Sequence, residues 1–373
     1  MIKVPFSDLA ATYARRRREI DAAMARVSAS GWYVGGPEVA AFERAFATTL
    51  RLPHAVGVAN GTDAIALALR ALGIGRGDKV LVPAVSAYPT TVGVLQAEAT
   101  PSFVDVDTHG LMDVDAVERA LEPGVRAILS VHLFGNCANL VRLAALAKSK
   151  GVLLIEDCAQ AHGASRDGIV AGAAGHAASW SFYPTKNLGA LGDAGAVTCA
   201  EEALTERLTR LRNYGQRTRY EHVERGFNSR LDPLQAAVLA ARLPYLESEN
   251  QRRRDIGQLY DEAFANLGRL RPVRVPAGAV PNRHLYPVLL PGPDQRSDLQ
   301  AFLANDGVES LIHYPIAMPD QAASDRAWSD GREFPVARDF CQRVLSLPCH
   351  PELSDTQVQI VINTARTWAE RGS

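Results

Sequence analysis

Residues 152–160 read VLLIEDCAQ. Four apolar residues run without a polar break and end on two successive carboxylates, Glu156 and Asp157. An unbroken apolar run of this length reads as a strand buried on both faces, the pattern of a parallel sheet covered by helices. Three further runs upstream have the same character: KVLVPA at 79–84, PSFVDVD at 101–107 and RAILSVHLFG at 126–135. Helical patterns lie between them, at 62–72 (closed by Gly73), 90–99, 113–121 (stopped by Pro123 and Gly124) and 140–150 after Asn139. The alternation predicts an α/β fold with a mostly parallel central sheet flanked by helices. Functional groups in such sheets gather at the carboxyl ends of strands, where His132 and Asp157 stand.

Beyond Asp232 a helical stretch continues to about residue 266, broken near Pro244. A Pro-rich segment, LRPVRVPAGAVPN at 270–282, follows. The rest reads as a smaller C-terminal α+β unit. The expected division is a large unit at 1–245, including the N-terminal segment, and a small one at 246–373.

Bulk properties exclude several classes. Of 373 residues, 47% are hydrophobic and 22% charged, which is ordinary for a globular protein with a sizeable core. A formal net charge of −1 gives no broad attraction for nucleic acid or an anionic membrane. The arginine runs at 15–18 and 252–254 read as solvated helix faces. No apolar run reaches the roughly 18 residues of a membrane helix, and MIKVPFSDLA has no secretory apolar region. The five cysteines form no CxxC pair, so neither zinc nor a disulfide framework is expected, and a reduced cytoplasmic protein is the simplest reading.

Three local signals carry chemistry. In VANGTDAIALALRALG (58–73), Asn60, Gly61 and Thr62 precede a helix whose free N–H groups and positive dipole end suit a phosphate; the plain alternative is a helix cap. Asp157 follows an apolar strand, where a carboxylate is costly unless paired. Its partner is a protonated heterocycle, or else it caps a turn or meets an arginine. Gln160 and His162 follow within reach of a ligand ring substituent. In WSFYPTKNLGALGDAGA (180–196), Lys186 lies between hydroxyls and glycines. An amine that attacks a carbonyl must lose its proton, and burial promotes that. Gly189, Gly192 and Gly195 let the chain turn tightly, and Ser181 can reach a phosphate. Together these are a phosphate cradle, a pyridinium partner and a Schiff-base lysine, the set that pyridoxal 5'-phosphate (PLP) needs.

The order and spacing of motifs resemble the sugar aminotransferases of the DegT/DnrJ/EryC1/StrS family, within the fold type I PLP enzymes. The motifs include GWYVGGPEVAAFE (31–43), VHLFGNCANL (131–140), IEDCAQAHGA (155–164), LRNYGQRTRY (211–220), GFNSRLDPLQAAVLAARL (226–243) and IHYP (312–315). The resemblance implies transfer of the amino group of L-glutamate to a keto group of a nucleotide-linked sugar. Carried over by position, Lys186 holds the cofactor covalently and then carries the proton between C4′ and the substrate carbon. Asp157 pairs with the pyridine nitrogen and Gln160 with the ring hydroxyl. Gly61, Thr62 and Ser181, with the backbone of Asp63, take the phosphate. Asn228 reaches the cofactor phosphate of a neighbouring subunit, which implies a homodimer with shared active sites. Tyr183, His313 and Tyr314 fall at sugar-nucleotide or near-cofactor positions. No metal, nucleic acid or membrane is implied.

Two departures stand out. In PAVSAYPTT (83–91) the family's ring-stacking aromatic is replaced by Ala87, with Tyr88 next to it. Either Tyr88 takes over the stacking, or Ala87 leaves one ring face less covered. GDAGA stands where GDGGA is common. The LRNYGQ motif, with Tyr214-Gly215, is similar to that of members acting on 3-keto sugars, which implies C3 amination of a dTDP-linked 3-keto-6-deoxyhexose. Alternatives are 4-keto sugars, UDP-linked 3-keto sugars, keto-cyclitols, and a PLP-binding regulatory paralogue without turnover. Lys186 argues against the branch that removes a hydroxyl and carries histidine there.

Overall fold

The computed structural model describes residues 2–371. Seven strands form the central sheet: β1 (His54–Val58), β2 (Lys79–Pro83), β3 (Thr100–Val104), β4 (Val125–Val131), β5 (Leu153–Asp157), β6 (Ala177–Ser181) and β7 (Gly195–Cys199). Their spatial order is β1-β7-β6-β5-β4-β2-β3. Only β7 runs against the others, pairing antiparallel with both β1 and β6. The sheet is therefore mostly parallel, as the apolar runs predict. Reversal of β7 puts its first residue, Gly195, at the edge where the parallel strands end.

Local chemistry fixes the helices. The helix Gly61–Ala71 is built of Ala and Leu, the best helix formers, and all but its ends and polar positions are buried. Asn60 caps it, its Oδ1 accepting from Asp63 N–H at 2.8 Å. The helix Leu140–Lys150 starts on an Asn139 cap and ends at Gly151, whose φ of 65° suits glycine. β4 and β5 are buried almost throughout, at roughly 1.5–3 kcal/mol for each fully buried large aliphatic side chain. An aromatic cluster of Phe42, Phe46, Trp180 and Phe182 backs β6 from the other side, with edge-on ring contacts near 5 Å.

Downstream, the helix Pro233–Arg242 and a short turn at Leu243–Tyr245 lead into the long helix Leu246–Phe264. A three-stranded sheet of Arg271–Pro272, Tyr286–Leu289 and Val344–Leu347 is covered by this helix together with Pro293–Asn305 and Asp355–Glu370. This is the expected smaller α+β unit. The N-terminal segment reaches the small unit. Val4 bridges Val308 and is buried with Ile256, Tyr260 and Leu345, so the chain begins by packing on the small unit. The outer limits 1 and 373 lie outside the described residues. Among those residues no helix is long and apolar enough to cross a membrane.

Candidate active site

The carboxyl edge of the sheet collects the sequence candidates. β1 ends at the Asn60 cap, β2 leads into Ser86 and Thr90, β5 ends at Asp157, and β6 ends at Ser181 and feeds the Lys186 loop. Two glycines let these segments touch. A Cβ on Gly61 would lie 2.6 Å from Ser181 Cβ, and one on Gly195 would lie 2.4 Å from the Asn60 carbonyl carbon. No side chain fits at either place. The helix start and Ser181 therefore converge, as a phosphate cradle requires. The N–H of Asp63, expected to help there, is already donated to Asn60, which leaves those of Gly61 and Thr62 at the helix start.

Asp157 is buried to 5% exposure. Oδ1 accepts from Ala159 N–H at 3.1 Å and Oδ2 from the Thr90 hydroxyl at 2.9 Å. Thr90 in turn meets Ser86 Oγ at 2.8 Å. No cation forms an ion pair with Asp157 among the described residues. Burial raises its pKa above the ordinary carboxylate value, although these hydrogen bonds and Lys186 pull it down.

Lys186 faces the complementary problem. Lys186 is half-buried, and desolvation lowers its amine to about 8, against the pull of Asp157. Its Nζ has no hydrogen-bond partner among the described residues. A lysine at about 8 is about one-tenth free base at pH 7, far more than an ordinary lysine, and nucleophilic attack on a carbonyl requires that form.

A cavity of about 330 Å³ takes in Lys186, Gln160, Tyr183, His284, His313 and Tyr314 among its lining. Gln160 is fixed at both ends: Oε1 accepts from Phe134 N–H at 2.6 Å, and Nε2 donates to Tyr314 Oη at 3.1 Å. His313 stacks on Phe6, and burial lowers it to about 4. His162, read from the sequence as within reach of a ligand, lies instead among Phe46, Trp180 and Phe182 and does not line this cavity. Asn228 and Tyr214 do not line it either. Asn228 is exposed and bridges Asn213, while Tyr214 is 44% exposed with Arg230 over its ring. Ala87 and Tyr88 are half-buried, and the Tyr88 hydroxyl lies 3.4 Å from Ser324 Oγ.

Several participants were not singled out from the sequence. Thr90 and Ser86 follow β2 and were accessible to the same carboxyl-end rule that found Asp157. Asn187 donates through Nδ2 to Asn250 Oδ1 and the Asn282 carbonyl, at 2.8 and 3.0 Å. Its Oδ1 must then accept from His284 Nδ1, at 2.9 Å. That fixes the His284 tautomer and leaves its Nε2 as an acceptor. Burial holds His284 neutral, well below the ordinary histidine value. This chain of four residues begins beside Lys186, but its partners come from distant segments and no local spacing marks them.

The chain is similar to known proteins over nearly its whole length. The model of the DegT/DnrJ/EryC1/StrS aminotransferase family matches residues 15–366. The chain is 44% identical over 372 residues to the dTDP-3-amino-3,4,6-trideoxy-alpha-D-glucose transaminase of Streptomyces venezuelae, covering 99% of this chain and 97% of that one. It superposes on the crystal structure of S. venezuelae DesV in complex with a ketimine intermediate with a TM-score of 0.95, at 42% identity and full coverage of both chains. NtdA from Bacillus subtilis, solved with bound cofactor PMP, matches with a TM-score of 0.91 at 27% identity, covering 99% of this chain and 86% of that one. The architecture is that of the fold type I transferases, and the chain belongs to the DegT/DnrJ/EryC1/StrS aminotransferase family.

Proposed function

We propose that this protein is a PLP-dependent aminotransferase that moves the amino group of L-glutamate to C3 of a dTDP-linked 3-keto-6-deoxyhexose, giving 2-oxoglutarate and the 3-amino sugar. One observation carries the chemistry: a lysine lowered to about 8 without a hydrogen-bond partner, electrostatically coupled to a buried aspartate without an ion-pair partner. Each lacks what the cofactor supplies. The relative from S. venezuelae is named for a dTDP-3-amino sugar, and Tyr214-Gly215 matches the 3-keto motif, which together favour C3 over C4.

The residues fit the group. The N–H groups of Gly61 and Thr62 and the Ser181 hydroxyl receive its phosphate, and Asp157 holds the proton on its ring nitrogen. When bound, the cofactor supplies an aldehyde that condenses with amines and a ring that withdraws electrons. Ser86 and Thr90 fix the rotamer of Asp157, so its charge stays aimed at one point. Lys186 presents a free-base amine, and this same amine removes and returns the proton at the substrate carbon. Gln160, clamped by Phe134 and Tyr314, holds the ring hydroxyl. Ala87 offers one methyl where the family stacks an aromatic ring, a difference of about 0.5–1.5 kcal/mol.

The exposed positions of Asn228 and Tyr214, away from the Lys186 cavity, support a homodimer in which Asn228 completes the partner's phosphate site. Residues 1–245 and 246–373 act as the two lobes, with the first strand-like residues of the chain clasped by the second. Five buried free cysteines suit the reducing cytoplasm.

Borohydride reduction of the holoprotein followed by peptide mass spectrometry is expected to tag Lys186; a tag elsewhere, or none, overturns the assignment. Incubation with glutamate and each keto sugar nucleotide, with NMR location of the new amine, tests the substrate. Amination at C4 alone refutes the C3 reading. A regulatory paralogue would keep its absorbance unchanged on addition of glutamate.

A further inference from the structure

The run Arg252-Arg253-Arg254 reads as three surface charges, yet the structure separates them. Arg252 pairs with Asp355 at 2.7 Å and Arg254 with Glu247 at 2.5 Å, both at the surface. Arg253 is 8% exposed and forms no ion pair among the described residues. Its Nη1 donates to the Cys349 carbonyl, and its Nε has no partner. The nearby carboxylates are already engaged, since Arg15 bridges Glu249 at 2.9 Å and Glu352 at 2.8 Å. A buried guanidinium satisfied by one carbonyl is expensive unless an anion joins it.

Arg253 lines the same cavity as Lys186. Among the described residues no aspartate or glutamate lines that cavity. Of its other basic residues, His284 and His313 are held neutral by burial, and His350 is engaged by the Pro5 carbonyl and Glu352. Besides Lys186, the described residues of one protomer therefore give this cavity one permanent cation, a planar fork of N–H donors that matches a carboxylate in two-point geometry.

We infer that Arg253 anchors a carboxylate of the amino-acid donor in the cavity that Lys186 lines. The inference rests on the aminotransferase reading and names the group that recognises the donor. A sugar nucleotide brings a rival anion, its diphosphate. In an amino acid the α-carboxylate is two bonds from the reacting nitrogen, whereas in the sugar nucleotide a stretch of pyranose ring separates the diphosphate from the keto carbon. A cation sharing a small cavity with Lys186 matches the shorter span.

The test uses the holoenzyme and its Arg253→Lys and Arg253→Gln variants. Absorbance follows the two half-reactions separately, glutamate with the aldehyde form and keto sugar nucleotide with the amine form. Calorimetry measures the binding of glutarate, a dicarboxylate with no amine. Arg253→Gln is expected to raise the half-saturating glutamate concentration by about 30-fold or more, and Arg253→Lys by about tenfold. Glutarate affinity should fall in parallel, while half-saturation by the keto sugar nucleotide shifts less than about threefold. Loss confined to the sugar half-reaction overturns the proposal in favour of the diphosphate. Equal loss in both half-reactions with a lowered melting temperature, or unchanged glutarate binding, overturns it in favour of a structural role. If the unmodified enzyme is not converted by glutamate at all, the aminotransferase reading fails, and the glutarate comparison still decides what Arg253 binds.

Discussion

Glu156 and Asp157 are neighbours on β5, both carboxylates and both buried, yet alternate side-chain direction along the strand sends them to different surroundings. Glu156 has every lone-pair direction occupied. Oε2 accepts from His132 Nε2 and Gly172 N–H, each at 2.8 Å, and Oε1 from Ala174 and Gly175 N–H at 2.8 and 2.7 Å. Burial pushes its pKa up, but these donors outweigh burial and hold it below the ordinary value. Asp157 has two donors and, among the described residues, no ion-pair partner, and there burial wins. One carboxylate completes a structural knot; the other keeps lone pairs open for the ring-nitrogen proton proposed above. His132, Glu156 and Cys158 also converge closely enough to suggest a metal site, but the four hydrogen bonds account for Glu156 without one. Burial alone therefore says little about function, and the count of satisfied lone pairs separates the two roles.

The comparison breaks first at Lys186, which the Asp157 side serves. Lys186→Ala should lower turnover by about 10⁴-fold or more while leaving the melting temperature nearly unchanged. A variant retaining activity would remove the reason for treating Asp157 as functional.

Asp157→Asn should lower kcat by about 10²–10³-fold through loss of the ring-nitrogen partner. The folded-state pKa of Asp157 lies above its unfolded value, so its contribution to stability is full below the unfolded value and falls as pH rises through the folded one. Removing the charge should therefore leave the apoprotein as stable at pH 7 as the parent, or more so, by thermal unfolding. Glu156→Gln should do the reverse. Its amide would face N–H donors, destabilising the fold by about 3 kcal/mol while kcat per folded molecule changes less than about threefold. Because the Glu156 pKa is lowered in the fold, the stability it gives the parent is present above the unfolded value and lost as pH falls through the folded one. If Glu156→Gln lost turnover without losing stability, the assignment of roles would be inverted.

A pH profile sharpens the contrast. Uptake of PLP by the apoprotein should accelerate with rising pH through a midpoint at about 8 and level off once Lys186 has lost its proton. Acceleration continuing towards pH 10 would show an ordinary, solvated lysine. The smallest expected effect is at Thr90. Thr90→Val removes one hydrogen bond to Asp157 and should lower kcat by about three- to tenfold, with the uptake profile of Lys186 kept in shape.

Much of the large unit was legible because parallel strands buried on both faces leave uninterrupted apolar runs, and because Gly73, Asn139 and Pro123-Gly124 mark helix ends locally. The antiparallel β7 and the pairing of Val4 with Val308 were not, since no local pattern says which segment lies beside which. Arg253 was misread for a different reason. Three adjacent arginines look alike as a run, but along the helix Leu246–Phe264 residues 249, 253, 256, 257 and 260 form one buried stripe. Helical periodicity selects Arg253 and rejects its two neighbours.

By itself the sequence determined the chemical inventory: a lysine among small residues, a carboxylate ending an apolar strand, a capped helix start, and the motif order of the family. These are properties of residue type and short spacing, which the chain carries unfolded. Tertiary structure alone decided protonation and partnership. Whether Lys186 is an ordinary cation or an amine near pH 8, and whether Asp157 or Glu156 is left without a full set of partners, depends on desolvation and on donors from strands and loops far apart in the chain. Those energies exist only once the segments are packed together.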